Sequence, residues 1–349
     1  MTTRSRNAQL RDMPTEERAE LRGATLEGRY QVEQRIGVGG TGVVFAGTRL
    51  DDGHSVVIKT LRPVFAHNAD LARRLRRERE VSQRVGHPAI VPIIDEGLLP
   101  DGSPYLVMER VYGEPLNRLL RRMGRLGPLE TLAIARRVCD VLHRAHARGY
   151  VHRDVKPEHI ILDRTPEGDL RVWLLDFGVC ASATAPPDER ERERGRVFGT
   201  PSYVSPEQAS GNPDVDARAD IFGLGVVLFE ALTGRVPFSS DNVTNLLRRI
   251  IREDAPRIGL VEPNLSRELD MVVSRMLARD RNERFSSTRA VARALAPLVP
   301  RQRRIERHLA VHLQTGTFSN SVETLAEAPQ EATVPKLQGM RVLAAALGF

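Results

Sequence analysis

Apolar positions follow two regimes along the chain. Up to residue 110 they form short runs separated by turn residues, and beyond Val111 they recur at helical spacing. Tyr30, Val32 and Ile36 begin a strand that leads into a glycine-rich run. Val43-Val44-Phe45-Ala46 and Ser55-Val56-Val57-Ile58 read as two further strands joined by the turn at Asp51-Asp52-Gly53. Leu71, Leu75 and Val81 recur near helical spacing between Asp70 and Val85. Val91-Pro92-Ile93-Ile94 and Tyr105-Leu106-Val107-Met108 add two strands joined through Pro100-Asp101-Gly102. The pattern predicts a small, mostly antiparallel sheet carrying one helix.

In the second regime, Leu129, Leu132, Ala135, Val138, Leu142 and Ala145 trace one face of a long helix. Ile160-Ile161-Leu162 and Val172-Trp173-Leu174-Leu175 form a short strand pair about the turn Pro166-Glu167-Gly168. Ala219 to Thr233 is apolar on all sides, as a buried central helix is. Later helices end near Leu298. Residues 1–29 are expected to be a flexible arm and residues 299–349 a poorly ordered tail, whose last ten residues, Met340 to Phe349, are apolar enough to dock. The run Asp188-Glu189-Arg190-Glu191-Arg192-Glu193-Arg194 reads as a mobile, solvated loop.

Length and composition narrow this picture. At 349 residues, 41% hydrophobic and 28% charged, the chain suits a soluble globular protein of two lobes plus tails. The longest apolar helical stretch, Ile221 to Leu232, is broken by Gly223, Gly225 and Glu230, so no membrane span is expected. The polar start Met1-Thr2-Thr3-Arg4-Ser5-Arg6 lacks the apolar core of a secretory signal. Two cysteines, Cys139 and Cys180, supply no disulfide framework and fit a reducing cytoplasm. The net charge of +7 is concentrated at Arg73 to Arg79 and Arg301 to Arg307. No nucleic-acid motif accompanies these runs, which read as solvated helix faces, and no nucleic-acid partner is expected.

Four motifs carry the chemistry. Ile36-Gly37-Val38-Gly39-Gly40-Thr41-Gly42-Val43-Val44 is a G-x-G-x-x-G-x-V loop set between two strands, with no helix opening at its third glycine, which argues against a dinucleotide fold. Lys59 ends the strand Val56-Val57-Ile58-Lys59. Val151-His152-Arg153-Asp154-Val155-Lys156-Pro157-Glu158-His159 follows, and then Asp176-Phe177-Gly178 and Ser205-Pro206-Glu207. In this order and spacing the chain, over residues 30–298, resembles a bacterial, eukaryotic-like (Hanks-type) serine/threonine protein kinase.

The resemblance implies an α+β, two-lobed protein kinase fold. A small, mostly antiparallel β lobe with one helix (residues 30–110) would stand on a larger, mainly helical lobe (residues 111–298), with ATP between them. It implies that the glycine-loop amides cover the phosphates, that Ile36 and Val44 clamp the adenine, and that Val57, where relatives commonly carry Ala, narrows that pocket. Lys59 would hold the α- and β-phosphates and pair with Glu78, with Glu80 as the competing choice. Met108 would back the adenine, Glu109 and Val111 would lend backbone hydrogen bonds, and Ile161 would cover the ring from below. Asp154 would orient the substrate hydroxyl, Lys156 would neutralise developing charge, and Asp176 would bind metal. Lys156 two residues after Asp154 is the serine/threonine pattern. Arg153 would pair with a phosphorylated loop residue, for which Ser182 and Thr184 are the better candidates. Thr200, also regulatory by position, would touch Asp154 and Lys156. Asp220 would pin the catalytic-loop backbone, and Glu207 with Arg284 would form a buried ion pair.

His159 stands where the pattern has a metal-binding Asn. Its Nδ1 lies as many bonds from the backbone as an Asn Oδ1, so a neutral ring reaches the ion, with an acid limb expected near pH ~6.5. Magnesium is hard and prefers oxygen, which opens a weakened second metal site, a manganese preference or, as the alternative reading, a catalytically weak scaffold that binds nucleotide; in the plainer reading His159 only hydrogen-bonds the Asp154 loop while Asp176 and water complete the metal shell. The expected function is ATP-dependent phosphorylation of protein serine and threonine, with self-association for autophosphorylation. ATP and Mg2+, or Mn2+, are the expected cofactors.

Overall fold

The computed structural model describes residues 21–177, 180–182 and 194–299, together with Leu309 and Leu313. Thr184, the charged run from Asp188 to Glu193, residues 1–20 and the docking stretch from Met340 lie outside the described residues.

Strand β1 (Thr25–Leu26), β2 (Tyr30–Val38), β3 (Gly42–Arg49), β4 (Ser55–Leu61), β5 (Ile93–Leu98) and β6 (Pro104–Glu109) form one six-stranded antiparallel sheet in the order β1-β2-β3-β4-β6-β5. The two-residue period of β4 sorts its side chains. Val56 and Ile58 join Tyr30, Val32, Phe45 and Val107 in one cluster. Val57 goes the other way, to Ile36, Val44, Ala46 and Met108, and Lys59 shares its face. β5 begins at Ile93 rather than at Val91, because Pro92 has no N–H to give a ladder.

Helix α1 (Ala69–Val85) starts at Asn68, whose side chain accepts from the Asp70 and Leu71 amides, and stops at Gly86 with φ +56°. Leu75 packs on Ile93 and Leu106, which fixes α1 against the sheet. The sheet starts earlier than expected. Leu21 and Leu26 are buried in the core behind it and β1 pairs with β2, so residues 21–29 belong to this lobe and not to an arm.

The larger lobe begins with β7 (Glu114–Pro115) and α2 (Leu116–Met123). It continues through α3 (Pro128–Ala147), β8 (Tyr150–Val151), β9 (Ile160–Arg164), β10 (Leu170–Leu174) and β11 (Ala181–Ser182). β9 lies between β10 and β7, and β8 pairs with β11. Helices α4 (Pro206–Ala209), α5 (Arg218–Thr233), α6 (Val243–Arg252), α7 (Ile258–Val261), α8 (Arg267–Met276) and α9 (Thr288–Leu295) follow. α5 is buried along nearly its whole length, as its uniform apolarity demands. On α3 the expected apolar face is buried except at its first member, Leu129, which is 39% exposed. Leu309 and Leu313 are buried in the core of this lobe, so the lobe draws on residues beyond the boundary at Leu298. Among the described residues no helix is long and apolar enough to cross a membrane.

The lobes meet where Ile90 bridges Leu174 and the Leu174 amide donates to the Ala89 carbonyl at 2.9 Å. That contact places the end of β10, and hence Asp176, directly under the sheet face that carries Lys59.

Candidate active site

A cleft opens between the lobes, lined by Val44, Val57 and Met108 above and by Leu174, Leu175 and Phe177 below. Lys59 Nζ donates to Glu78 Oε2 at 2.9 Å and to Asp176 Oδ1 at 3.2 Å. Of the two glutamates weighed from the sequence, Glu78 therefore meets Lys59. Glu80 faces away, accepting from Tyr150 at 3.1 Å and pairing with Arg84. Burial alone would lower the Lys59 pKa, but the carboxylates of Asp176 and Glu78 outweigh it and hold the ammonium above the ordinary lysine value.

The glycine loop is the hairpin between β2 and β3, closed by Gly39 N–H donating to the Gly42 carbonyl at 2.8 Å. None of Gly37, Gly39, Gly40 and Gly42 has a positive φ. What favours glycine at residue 42 is proximity, since a Cβ there would stand a tight 3.1 Å from the Thr60 carbonyl. Val38, Thr41 and Val43 complete the hairpin, and Ile36 packs with Val44 and Val57 on the cleft face.

Glu109 and Val111 line the cleft, but the Glu109 N–H is taken by the Pro92 carbonyl at 3.0 Å and so is not offered to a ligand. Ile161 is buried in β9 with its Cγ2 beneath Gly113, where a Cβ would come within 2.8 Å of it, on the face opposite to Ile160 and Leu162, which join the core of the larger lobe.

The loop His152–His159 is built by buried polar bonds. Asp220, from the first turn of α5, accepts the amides of His152 and Arg153 at 2.8 Å each, and meets His146 Nε2 at 2.7 Å. His152 Nε2 donates to the Leu175 carbonyl at 2.9 Å and its ring stands edge-on to Phe177 at 4.6 Å. Arg153, at φ +66°, and Asp176, at φ +60°, both hold left-handed backbone. Such conformations cost on the order of 1–3 kcal/mol and persist where the surroundings fix them.

Around Asp154 the charges interlock. Lys156 Nζ lies 2.9 Å from Asp154 Oδ2 and donates to Thr200 Oγ1 at 2.5 Å. The Thr200 amide donates to Asp154 Oδ1 at 2.8 Å. Burial would raise the Asp154 carboxyl, yet Lys156 and then His159 hold it below its usual range. Asp176 is likewise driven well below its usual range, Lys59 outweighing burial.

At His159 the structure favours a hydrogen bond to the Asp154 loop over metal ligation through Nδ1. Nδ1 is not turned toward a metal but lies 2.9 Å from the Asp154 carbonyl, and Nε2 faces Asp176 Oδ2 at 3.7 Å. Burial is the largest of the influences that lower the ring's pKa to about 4, so the acid limb expected near pH ~6.5 is not supported. Asp176 Oδ2 and His159 Nε2, 3.7 Å apart, are the side-chain atoms that would hold a divalent cation, which would supply positive charge beside the phosphates. Among the described residues, no three His, Cys, Asp or Glu side chains are grouped to hold a metal by themselves.

Glu207 and Arg284 make a bidentate buried pair at 2.8 and 2.9 Å. Arg153, Arg74 and Arg196 surround the Phe198 ring at 6.0, 4.7 and 5.9 Å. Ser182 pairs through its backbone with Tyr150. Sequence reasoning passed over Gln208, whose Nε2 donates to the carbonyls of Arg153 at 2.7 Å and Phe198 at 3.1 Å. The spacing Ser205-x-x-Gln208, a capping box, is the signal that marks it. Ser82, one helical turn after Glu78, was also missed and lines the cleft.

Residues 30–295 match the protein kinase domain family. The chain is 33% identical over 298 residues to serine/threonine-protein kinase pkn3 of Myxococcus xanthus, covering 84% of this chain and 54% of that protein. It is 37% identical over 251 residues to serine/threonine-protein kinase PknA of Mycobacterium tuberculosis, covering 71% and 56%. The chain thus spans about half the length of these curated relatives. The crystal structure of the Mycobacterium tuberculosis PknI kinase domain, a double mutant, superposes with a TM-score of 0.62 at 30% identity, covering 79% of this chain and 97% of that one. These relatives lend no support to the reading of a catalytically weak scaffold. A two-lobed architecture, an interlobe cleft and sequence likeness across most of the described residues agree, and the chain belongs to the protein kinase domain family, in its bacterial serine/threonine branch.

Proposed function

We propose that the protein transfers the γ-phosphoryl group of ATP to serine and threonine hydroxyls of proteins. Membership in the family implies ATP and a divalent metal, and magnesium or manganese is the ion we assign. The observation that carries the reading is that Lys59 holds Asp176 and Lys156 holds Asp154, with the His159 ring between the two carboxylates, 3.5 Å from Asp154 Oδ2 and 3.7 Å from Asp176 Oδ2.

In this reading Lys59 holds the α- and β-phosphates, steadied by Glu78, while the glycine-loop amides cover the phosphates from above. Asp154, kept ionised, takes the proton as the substrate oxygen attacks the γ-phosphorus and the bond to the β-phosphate oxygen breaks, releasing ADP. Lys156 offsets negative charge between the entering and leaving oxygens. A metal bound by Asp176 and His159 would screen the triphosphate and help orient it. Thr200, anchored to both Lys156 and Asp154, sits where it can relay the state of the segment after Asp176 to the reacting groups.

We assign the phosphoryl transfer to the two-lobed unit of residues 30–298, completed by residues 21–29 and by Leu309 and Leu313, and place it in intracellular signalling in the cytoplasm. Self-association would allow autophosphorylation at Ser182 or Thr184, with Arg153 receiving the phosphate. Incubation with labelled ATP and Mg2+ or Mn2+, followed by mass spectrometric mapping of modified hydroxyls, tests this. Label on serine or threonine of protein, lost in Asp154→Asn, is expected. A metabolite panel that turns over faster than any protein would overturn it.

A further inference from the structure

We propose that Gln208 is a positioning residue: its side-chain amide braces the peptide before Asp154 against the segment that carries Thr200, and so sets how Asp154 meets the acceptor hydroxyl. This rests on the kinase reading and extends it to a residue that acts only through others.

The bonds of this side chain divide into two halves. Oε1 turns back on its own helix, accepting from the Ser205 amide at 3.2 Å and from the Ser205 hydroxyl at 3.1 Å, which completes the cap of α4. A cap asks nothing more of this residue. Nε2 serves residues outside α4, donating to the Arg153 carbonyl at 2.7 Å and to the Phe198 carbonyl at 3.1 Å. Both targets only accept, so the two amide hydrogens face them and the orientation of the group is fixed. The side chain is 5% exposed and spends both hydrogens and both lone pairs within the protein.

The two carbonyls belong to the chain segments that meet at Asp154. The Arg153 carbonyl is the oxygen of the Arg153–Asp154 peptide, whose N–H donates to His152 Nδ1 at 3.2 Å. That peptide is therefore held at both ends, by Gln208 at oxygen and by His152 at nitrogen, just after the left-handed residue Arg153. Phe198 leads through Gly199, at φ +100°, to Thr200, whose amide donates to Asp154 Oδ1 and whose hydroxyl accepts from Lys156. The segments already touch, since a Cβ at Gly199 would stand 2.7 Å from the Arg153 carbonyl. Asp220 holds the amides of His152 and Arg153, and Gln208 holds the next peptide along. One amide thus spans the joint on which the Asp154 carboxylate turns.

Alignment decides the rate of such a transfer, and a displacement of about 1 Å costs about 10²-fold. Loss of the amide frees this joint, while Lys59 keeps its bonds to Glu78 and Asp176 at the nucleotide end of the cleft.

The full chain is compared with Gln208→Met, which keeps the reach of the side chain but has no hydrogen to donate, at a temperature where circular dichroism shows both folded. With labelled ATP and dephosphorylated casein as acceptor, kcat should fall by about 10²-fold while KM for ATP changes by less than about three-fold. In hydrogen exchange the Asp154 and Thr200 amides should lose protection, while the His152 and Arg153 amides, held by Asp220, keep theirs. A variant that is less stable to urea but matches wild type in kcat and in Thr200 protection overturns the proposal, because Gln208 then only caps α4. In the wild type itself, the Gln208 side-chain amide should exchange at least about ten-fold more slowly than that of free glutamine. Exchange at the free rate overturns the proposal even if the variant fails to fold. A wild type that phosphorylates neither casein nor itself, while Gln208→Met still loosens Asp154 and Thr200, sinks the kinase reading and leaves the brace standing.

Discussion

The two walls of the cleft are held by different means. The upper wall is a sheet: the glycine hairpin and Lys59 take their places from the β2–β3–β4 ladder, and one backbone bond, Gly39 to Gly42, closes the hairpin tip. The lower wall is a loop whose backbone is tied by side chains distant in sequence. Asp220 receives two of its amides, Gln208 binds the Arg153 carbonyl, and His159 binds that of Asp154. Both left-handed non-glycine residues of the site, Arg153 and Asp176, belong to this lower wall. A ladder averages position over many equivalent bonds, whereas a tied loop concentrates it in a few. The upper wall should therefore absorb single substitutions that the lower wall cannot.

The strongest break in the comparison is at the reacting group. Asp154→Asn removes the proton acceptor but keeps the side chain's shape, and phosphoryl transfer should fall by about 10²–10⁴-fold. Affinity for a non-hydrolysable ATP analogue, measured by calorimetry, should change by less than about three-fold. A comparable loss of affinity would mean that Asp154 serves binding more than chemistry.

Next in size is the tie beneath the loop. Asp220→Ala strands the buried amides of His152 and Arg153 and the His146 ring at once. Each unmet donor costs about 1–3 kcal/mol, so a loss of about 3–5 kcal/mol in urea unfolding is expected. Hydrogen exchange sharpens the reading, because the two amides should lose protection while those of β3 and β4 keep theirs. Uniform deprotection of both lobes would show that the walls are not separately held.

The same contrast explains what the sequence disclosed. Val56-Val57-Ile58 is a continuous apolar run ending at Lys59, so the strand and the lysine at its end could be read directly, while the sorting of its faces came from the sheet. The lower wall was legible as a motif, but its bonds were not. Asp154 lies 66 residues from Asp220 by number, and which nitrogen of His159 meets the Asp154 carbonyl is settled only by packing. The two-residue period of β9 sends Ile160 and Leu162 into the core and Ile161 to the other face, beneath Gly113, a contact the motif alone did not disclose. Residues 21–29 escaped notice because Leu21 and Leu26 are too few to form a period, although both are buried. Leu309 and Leu313 escaped for the same reason.

A smaller effect tests the lower lobe through pH. Glu230, in the last turn of α5, accepts a hydrogen bond from Tyr203 at 2.7 Å, and burial lifts its pKa from 4.5 to about 7. The folded state thus holds a proton that the unfolded state releases first. Stability from this group is fully present below pH 4.5 and is lost as pH rises through about 7. Glu230→Gln should remove that decline, flattening the pH 5–8 stability profile by about 2 kcal/mol. Parallel profiles for the two proteins would count against a protonated Glu230.

The smallest expected effect falls on the upper wall, at Val57. Its side chain faces the cleft in register with Ala46 and Met108, and it packs on Ile36 and Val44. Removing its two methyls in Val57→Ala widens the space beside Met108 without touching the ladder that positions Lys59. Affinity for the ATP analogue should tighten by about five-fold, or about 1 kcal/mol, the low end of what relieving a crowded apolar site returns. The turnover number should stay within about two-fold, because Lys59 remains against Glu78 and Asp176. That separation of binding from turnover is what a wall averaged over many ladder bonds allows. If turnover fell along with affinity, one cleft-facing side chain would be steering Lys59, and the upper wall would be as sharply tied as the lower.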